Sequence, residues 1–217
     1  MIDKHFIAKR VSKELKDGDV VNLGIGLPTL VANYVPDGIK VWFQGENGVL
    51  GLGPEASILN SDWDVFDAGG NWATIVPGAS YFNSAESFGL IRGGHVDITV
   101  LGALQVDEEG NLANWMVPGK MMAGFGGAID LVTCAKKVIV AMEHFGKGEA
   151  KILKQCTYPL TGKSCVDLIV TEKALIEVTK EGLVLREIAE GFTIKDVQDE
   201  TEAKLIIPDE VKTMCVD

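Results

Sequence analysis

The sequence is short of several things, and each shortage removes a class of function. No apolar stretch among its 217 residues approaches the roughly 20 that a membrane helix needs; the longest, such as VIVAM (Val138 to Met142) and LIV (Leu168 to Val170), are far shorter, so no membrane span is expected. Positive charge is scarce, 20 Lys and Arg against 31 Asp and Glu, giving a net charge of −11. That balance opposes a general nucleic-acid binder, because phosphate contacts need clustered cations. An anionic substrate would have to be attracted locally, by a few placed residues, helix amino termini or a partner chain. The four cysteines, Cys134, Cys156, Cys165 and Cys215, form no C-x-x-C pair and stand apart in sequence from the three histidines. Free thiols and no structural zinc are expected. No G-x-S-x-G elbow, internal repeat or low-complexity linker occurs. The amino-terminal MIDKHFIAKRVSKEL mixes charges at helical spacing and lacks the continuous apolar core of a secretory signal, so a cytoplasmic location is expected.

What is present is the composition of a globular α/β chain, 47% hydrophobic and 24% charged. Residues 3–16 read as an amphipathic helix, with Asp3 as its cap, Ile7, Val11 and Leu15 on one face, and Asp17-Gly18 as its stop. DVVNLGIG then runs as a strand into Gly24-Ile25-Gly26, and LPTLVANYV follows as a helix with Pro28 in its first turn. Further strands are predicted at 40–44, 96–103, 137–142, 166–171, 176–179 and 183–188, the last two joined as a hairpin across Lys180-Glu181-Gly182. The glycine-rich segment 89–127 reads as loops around one buried strand. Alternating strands and helices predict a single α/β domain over residues 1–217, a mostly parallel sheet with helices on both faces. Sites in such sheets lie at the carboxyl ends of strands.

One stretch has that address and an unusual composition. In FQGENGVLGLGP, Phe43 to Pro54, a single carboxylate, Glu46, lies beyond an apolar run among Gly45, Gly48, Gly51 and Gly53. A solvated turn glutamate needs no such neighbours. Glycines let backbone approach a bulky reactant, Asn47 offers an amide to a reacting oxygen, and a carboxylate so placed is able to attack an activated acyl group as a nucleophile.

The run GENGVLGLGP resembles the E-N-G signature of the family I CoA-transferases. The match continues in order through PGASYF (77–82), IRGGH (91–95), LGALQV (101–106), ANWMVPGK (113–120), GFGGAIDLV (124–132), AMEH (141–144) and PLTGK (159–163). It covers nearly the whole chain and is closest to the B (beta) subunit of the two-subunit 3-oxoacid and acetate or butyrate–acetoacetate enzymes, the counterpart of the carboxyl-terminal half of the fused succinyl-CoA:3-oxoacid enzymes. The resemblance implies the open α/β fold of that family. It also implies ping-pong transfer of CoA between a short-chain acyl-CoA and a carboxylic acid through a glutamyl-CoA thioester on Glu46. Gly127 is implied as an oxyanion-hole amide, with Gly126 adjacent. Gly24, Ile25, Gly26, Asn47 and Gly48 are expected to border the acyl and CoA channel. The family uses CoA as substrate with no tightly bound cofactor, and shares its active site with an A (alpha) subunit in heterotetramers or larger assemblies. One departure stands out: Gly45 occupies the position where the family usually has serine.

Two other readings stay open on sequence alone. Gly24-x-Gly26 begins a dinucleotide fingerprint with Glu46 downstream as a ribose ligand, but position 29 is Thr29, so a nicotinamide enzyme lacks its third glycine. A noncatalytic partner of the same fold is the other. Thr161-Gly162-Lys163-Ser164 resembles the end of a phosphate loop without its earlier glycine. Arg92, Lys120, Lys147 and Lys151 could hold CoA phosphates or serve only as solvated surface. Glu143-His144 would point to opposite faces of a strand, while His95 and Asp97 would share one. Trp42, Trp63, Trp72 and Trp115 suit core or interface better than adenine stacking.

Overall fold

The computed structural model describes residues 3–122, 124–146 and 148–216. A ten-stranded sheet organises them. Numbered within that sheet, its strands are β1 (Val20–Leu23), β2 (Trp42–Gly45), β3 (Val49–Glu55), β4 (Ala73–Tyr81) and β5 (Ile98–Leu101). The remainder are β6 (Lys137–Ala141), β7 (Leu168–Val170), β8 (Ala174–Thr179), β9 (Gly182–Ala189) and β10 (Lys212–Met214). Across the sheet they run β10-β9-β8-β7-β6-β5-β1-β2-β3-β4. The middle, β7 to β2, is parallel. Antiparallel hairpins flank it on both sides, and β10 joins β9 in parallel.

Side-chain parity divides the apolar residues between two cores. On β6, Val138 and Val140 enter one core with Ile169 and with Leu131 and Val132 of helix α3 (Ala128–Cys134). Ile139 and Ala141 enter the other with Val100, Leu168 and Val170, beneath Ile7 and Val11 of helix α1 (Lys4–Ser12). Helices therefore cover both faces, as a strand of period two with both sides apolar requires. Each fully buried side chain of this kind, such as Ile139 at 0% exposure, contributes about 2 kcal/mol by removal from water.

The expected elements recur with shifted ends. Asp3 caps α1, its Oδ1 accepting from the amides of His5 and Phe6 at 2.9 and 3.2 Å. The helix stops at Ser12 and not at residue 16: the Glu14 and Leu15 amides donate to the Val11 and Ser12 carbonyls, three residues back, at 2.9 and 3.2 Å, and Glu14 pairs with Arg10 at 2.9 Å and Lys137 at 2.8 Å. Leu15 still reaches the core from the turn. The segment Leu27–Tyr34 is a 3-10 helix, not an α-helix. Pro28 lacks an amide to donate, and Thr29 closes the tighter turn by donating both its N–H and its hydroxyl to the Gly26 carbonyl. β8 and β9 form the expected hairpin across Lys180 and Glu181.

Sequence reading missed β3, β4 and helix α2 (Ser84–Arg92). The glycines of β3 masked a strand. In α2 the signal was present, a capping box between Asn83 and Glu86. The segment 89–127 accordingly begins inside α2. Beyond β5 it contains short paired strands, Gln105–Asp107 with Leu112–Ala113 and Met116–Val117 with Met121–Met122, so it is more regular than a set of loops.

Two polar pairs also differ from expectation. β6 ends at Ala141, so Glu143 and His144 lie beyond the strand and strand parity does not govern them. β5 begins at Ile98, and Asp97 binds the Val20 amide at 2.8 Å and Lys136 at 2.7 Å. His144 is fully buried between the hydroxyls of Thr171 and Thr201, at 3.0 and 2.9 Å. Burial lowers its pKa from 6.5 to about 4. The unfolded chain then binds more protons between those values, so stability is complete above pH 6.5 and falls as pH drops toward 4. Between pH 7.5 and 5 this one residue is expected to cost the parent about 2 kcal/mol. Urea unfolding at both pH values should show that loss shrinking by this amount in His144→Gln.

Candidate active site

The carboxyl end of β2 delivers the chain into a tight hairpin loop, Glu46-Asn47-Gly48, ahead of β3. The Gly48 amide donates to the Gly45 carbonyl at 3.0 Å, and the Phe82 amide donates to the Gly48 carbonyl at 2.9 Å. At Gly48, φ is +123°, and a Cβ would overlap the Phe82 carbonyl oxygen. Only glycine fits there. Gly51, at φ +106°, would place a Cβ 2.6 Å from the Ala79 Cβ, and Gly53 abuts Thr74. Gly48 and Gly51 therefore serve close packing of this hairpin against β4 and the residues after it, while Gly53 both abuts Thr74 and lines the cavity described below. At Gly45 a Cβ would meet only side-chain methyls, Val49 Cγ1 at 2.9 Å and Leu52 Cδ1 at 3.1 Å.

The glycines that do face Glu46 come from far along the chain. The Gly127 amide, at the start of α3, donates to the Glu46 carboxylate, 3.3 Å from Oε1 and 3.2 Å from Oε2. A Cβ on Gly127 would collide with Oε2 and sit 3.1 Å from Cδ; one on Gly126 would lie 3.3 Å from Oε1. Between the two candidates, Gly127 supplies the donor and Gly126, at φ +50°, the turn. The same loop carries Phe125, whose ring lies against Trp115 with centroids 4.0 Å apart, so the indole braces the segment that presents Gly127.

Glu46 opens on a cavity of about 610 Å³. Gly24, Ile25, Asn47, Gly126 and Gly127 line it, together with apolar Leu23, Leu30, Phe43, Leu52 and Leu101. Gly26 and Gly48 are not among its lining residues: Gly26 is exposed at φ +87° with open space around it, and Gly48 is buried against Phe82. The cavity's charged groups are Glu46, Glu55 and Asp67, and no Lys or Arg lines it among the described residues. Arg92 pairs with Asp130 at 2.6 Å, and neither Lys120 nor Lys151 reaches the cavity. Lys147 lies outside the described residues. Sequence reading passed over Asn22, Gln44 and Asn114, which also line it. A polar residue inside an apolar strand, as in VVNL and WFQG, was the available signal.

Competing chemistries find no matching geometry. The Gly24 amide is committed to the Val100 carbonyl at 2.8 Å, and a 3-10 helix follows, so the turn offers no α-helix amino terminus to a pyrophosphate. Gly162 pairs with Leu112 through both its amide and its carbonyl, in a β-bridge and not a phosphate nest. Cys156 and Cys165 do not line the cavity, and burial foremost pushes their thiols up to about 12 and about 11, which suppresses the nucleophilic thiolate. The tryptophans divide. Trp42 carries the Lys40 ammonium 3.9 Å from its ring centroid, whereas Trp63 is 84% exposed and meets Trp72 edge-on.

Comparison with known proteins places the chain in a family. Residues 4–200 match the Coenzyme A transferase family model. The beta chain of the acetate CoA-transferase of Escherichia coli (strain K12) is 54% identical over 211 residues, covering 97% of this chain and 96% of that one. The B component of the probable succinyl-CoA:3-ketoacid coenzyme A transferase of Bacillus subtilis (strain 168) is 50% identical over 94% of this chain and 95% of its own. Among solved structures, the apoenzyme of an acyl-CoA transferase from Escherichia coli O157:H7 superimposes with a TM-score of 0.77 at 23% identity. That match takes in 98% of this chain and 43% of the longer one, and it speaks for the fold. With a family match from residue 4 to 200 and half-identical relatives along nearly its full length, the chain belongs to the Coenzyme A transferase family.

Proposed function

We propose that this chain is the beta component of a two-component CoA-transferase that moves CoA between a short-chain acyl-CoA and a carboxylic acid, with Glu46 as nucleophile. The observation that carries the reading is the Glu46 carboxylate at the cavity wall with the Gly127 amide on its oxygens. Glu46 attacks the acyl thioester, the C–S bond breaks, and CoA thiolate leaves an acyl-glutamyl anhydride. The thiolate then attacks the glutamyl carbonyl, expelling the first acid and leaving a glutamyl-CoA thioester. An incoming carboxylate reverses both steps and departs as the new acyl-CoA. Charge develops on the glutamyl oxygen each time that carbonyl is attacked, where the Gly127 N–H already points. Gly126, Asn47, Gly24 and Ile25 shape the channel, and the apolar wall keeps water from either energy-rich intermediate. CoA enters as a substrate, and no tightly bound cofactor is invoked.

The site is completed, in this reading, by an alpha subunit, with heterotetramer formation in the cytoplasm. Two features support a partner. The cavity offers no cation among this chain's described residues to the phosphates of CoA or to the acid's carboxylate. Beside it, the β3–β4 connection exposes Ile58 at 84%, Leu59 at 98% and Trp63 at 84%, an apolar patch of the kind that marks association surfaces. Acetate and 3-keto acids, named for the relatives, are the acids to try first. Co-expressed and co-purified with an alpha subunit, the chain should transfer CoA from acetoacetyl-CoA to acetate; alone it should transfer none. An assembled complex that exchanges no CoA with any short-chain pair would favour a noncatalytic partner instead.

A further inference from the structure

Beneath the Glu46 loop lies a string of buried polar groups that the proposed chemistry does not use. Asn22 of β1, Gln44 of β2 and Ser87 of α2 are 4%, 2% and 0% exposed. The Asn22 side-chain amide donates to the Gln44 Oε1 at 2.7 Å and to the Gln44 backbone carbonyl at 3.1 Å. This fixes which way the Gln44 amide faces. Its Nε2 then donates to the Ser87 hydroxyl at 2.7 Å. With its oxygen accepting from Gln44, the Ser87 hydroxyl spends its single proton on the Gly45 carbonyl at 3.3 Å.

The string therefore ends on the peptide immediately before Glu46. That carbonyl also accepts from the Gly48 amide at 3.0 Å within the loop, and the Ser87 hydroxyl adds a tie from α2, in a chain where the neighbouring carboxylate must stay on the Gly127 amide. Burying three polar side chains is costly unless each is satisfied, and here each bond orients the next. We propose that Ser87 is a positioning residue for the nucleophile, held in donor orientation by Gln44 and Asn22, and fixing the Gly45 carbonyl so that Glu46 stays in line for attack. The proposal rests on the reading of Glu46 as nucleophile.

The test uses the complex with an alpha subunit. Ser87→Ala is expected to lower kcat by about 10- to 100-fold, since misplacement of a reacting group on the order of 1 Å has that effect. KM for acyl-CoA should stay within about three-fold, because Ser87 is not among the residues lining the cavity. In a single turnover, CoA should accumulate on Glu46 more slowly by the same factor as kcat. Ser87→Thr, which restores the hydroxyl, should recover activity to within about five-fold of the parent. A Ser87→Ala complex turning over within about two-fold of the parent overturns the proposal. So do equal losses in the Ala and Thr variants, or a loss that merely follows the folded fraction by circular dichroism, since both would assign Ser87 to packing. Glu46→Gln run in parallel separates the two failures: if it keeps parental activity, the nucleophile reading itself falls; if it is inactive while Ser87→Ala is not, only the positioning role falls.

Discussion

Replacing Glu46 with glutamine in the assembled complex is expected to lower kcat by about 10⁴-fold or more, the scale of removing a covalent nucleophile. The fold should not notice. Glutamine has nearly the same shape, its side-chain carbonyl can still accept from the Gly127 amide, and the hairpin loop is held by backbone bonds from Gly48 and Phe82 that do not involve the carboxylate. The expected pattern is thus a complex with parental melting temperature, parental affinity for free CoA and almost no exchange. Thermal unfolding, CoA titration and an acetate-dependent exchange assay on the same preparation read all three. A variant keeping a tenth or more of parental kcat would show that the carboxylate is not the group that becomes acylated.

The second large effect belongs to Gly127→Ala. Its φ of −84° lies outside the left-handed region that favours glycine, so alanine is not barred by a positive φ. The added methyl does meet something: it would collide with Glu46 Oε2 and approach the Phe88 ring to 3.3 Å. The carboxylate must then swing away from the amide, and both ground-state placement and oxyanion stabilisation are lost together. Removing one such donor costs about 10²- to 10³-fold in kcat, and that is the loss expected, with the melting temperature little changed. Full activity in Gly127→Ala would mean that the amide beside Glu46 plays no part in the reaction.

These two residues also show how much the sequence disclosed. The E-N-G run placed Glu46 at the carboxyl end of a strand, and the order of the later motifs identified the family before any geometry was available. The apolar runs VIVA and LIV fell within the strands predicted at 137–142 and 166–171, and their alternate side chains enter the two cores of a sheet covered on both faces. The failures share a cause in glycine. In GVLGLGP the residues are permissive in principle, and only the three-dimensional neighbours, Phe82, Ala79 and Thr74, reveal that they serve close strand contact, with Gly53 also facing the cavity. Conversely, the amide that reaches Glu46 lies 81 residues away in sequence, and no local pattern joins the two. Ser87 was invisible for a related reason: a serine one turn into an unrecognised helix gives no sign that its hydroxyl ends a chain of bonds from two strands.

The most direct measurement is mass spectrometry of the complex after brief mixing with acetoacetyl-CoA in the absence of acceptor acid. This chain is expected to gain the mass of CoA less one water, the addition to be removed by borohydride or hydroxylamine, and the peptide bearing it to be the one that contains Glu46. A complex that exchanges CoA at its normal rate while carrying the label on a cysteine, or carrying none, would contradict a glutamyl thioester on Glu46.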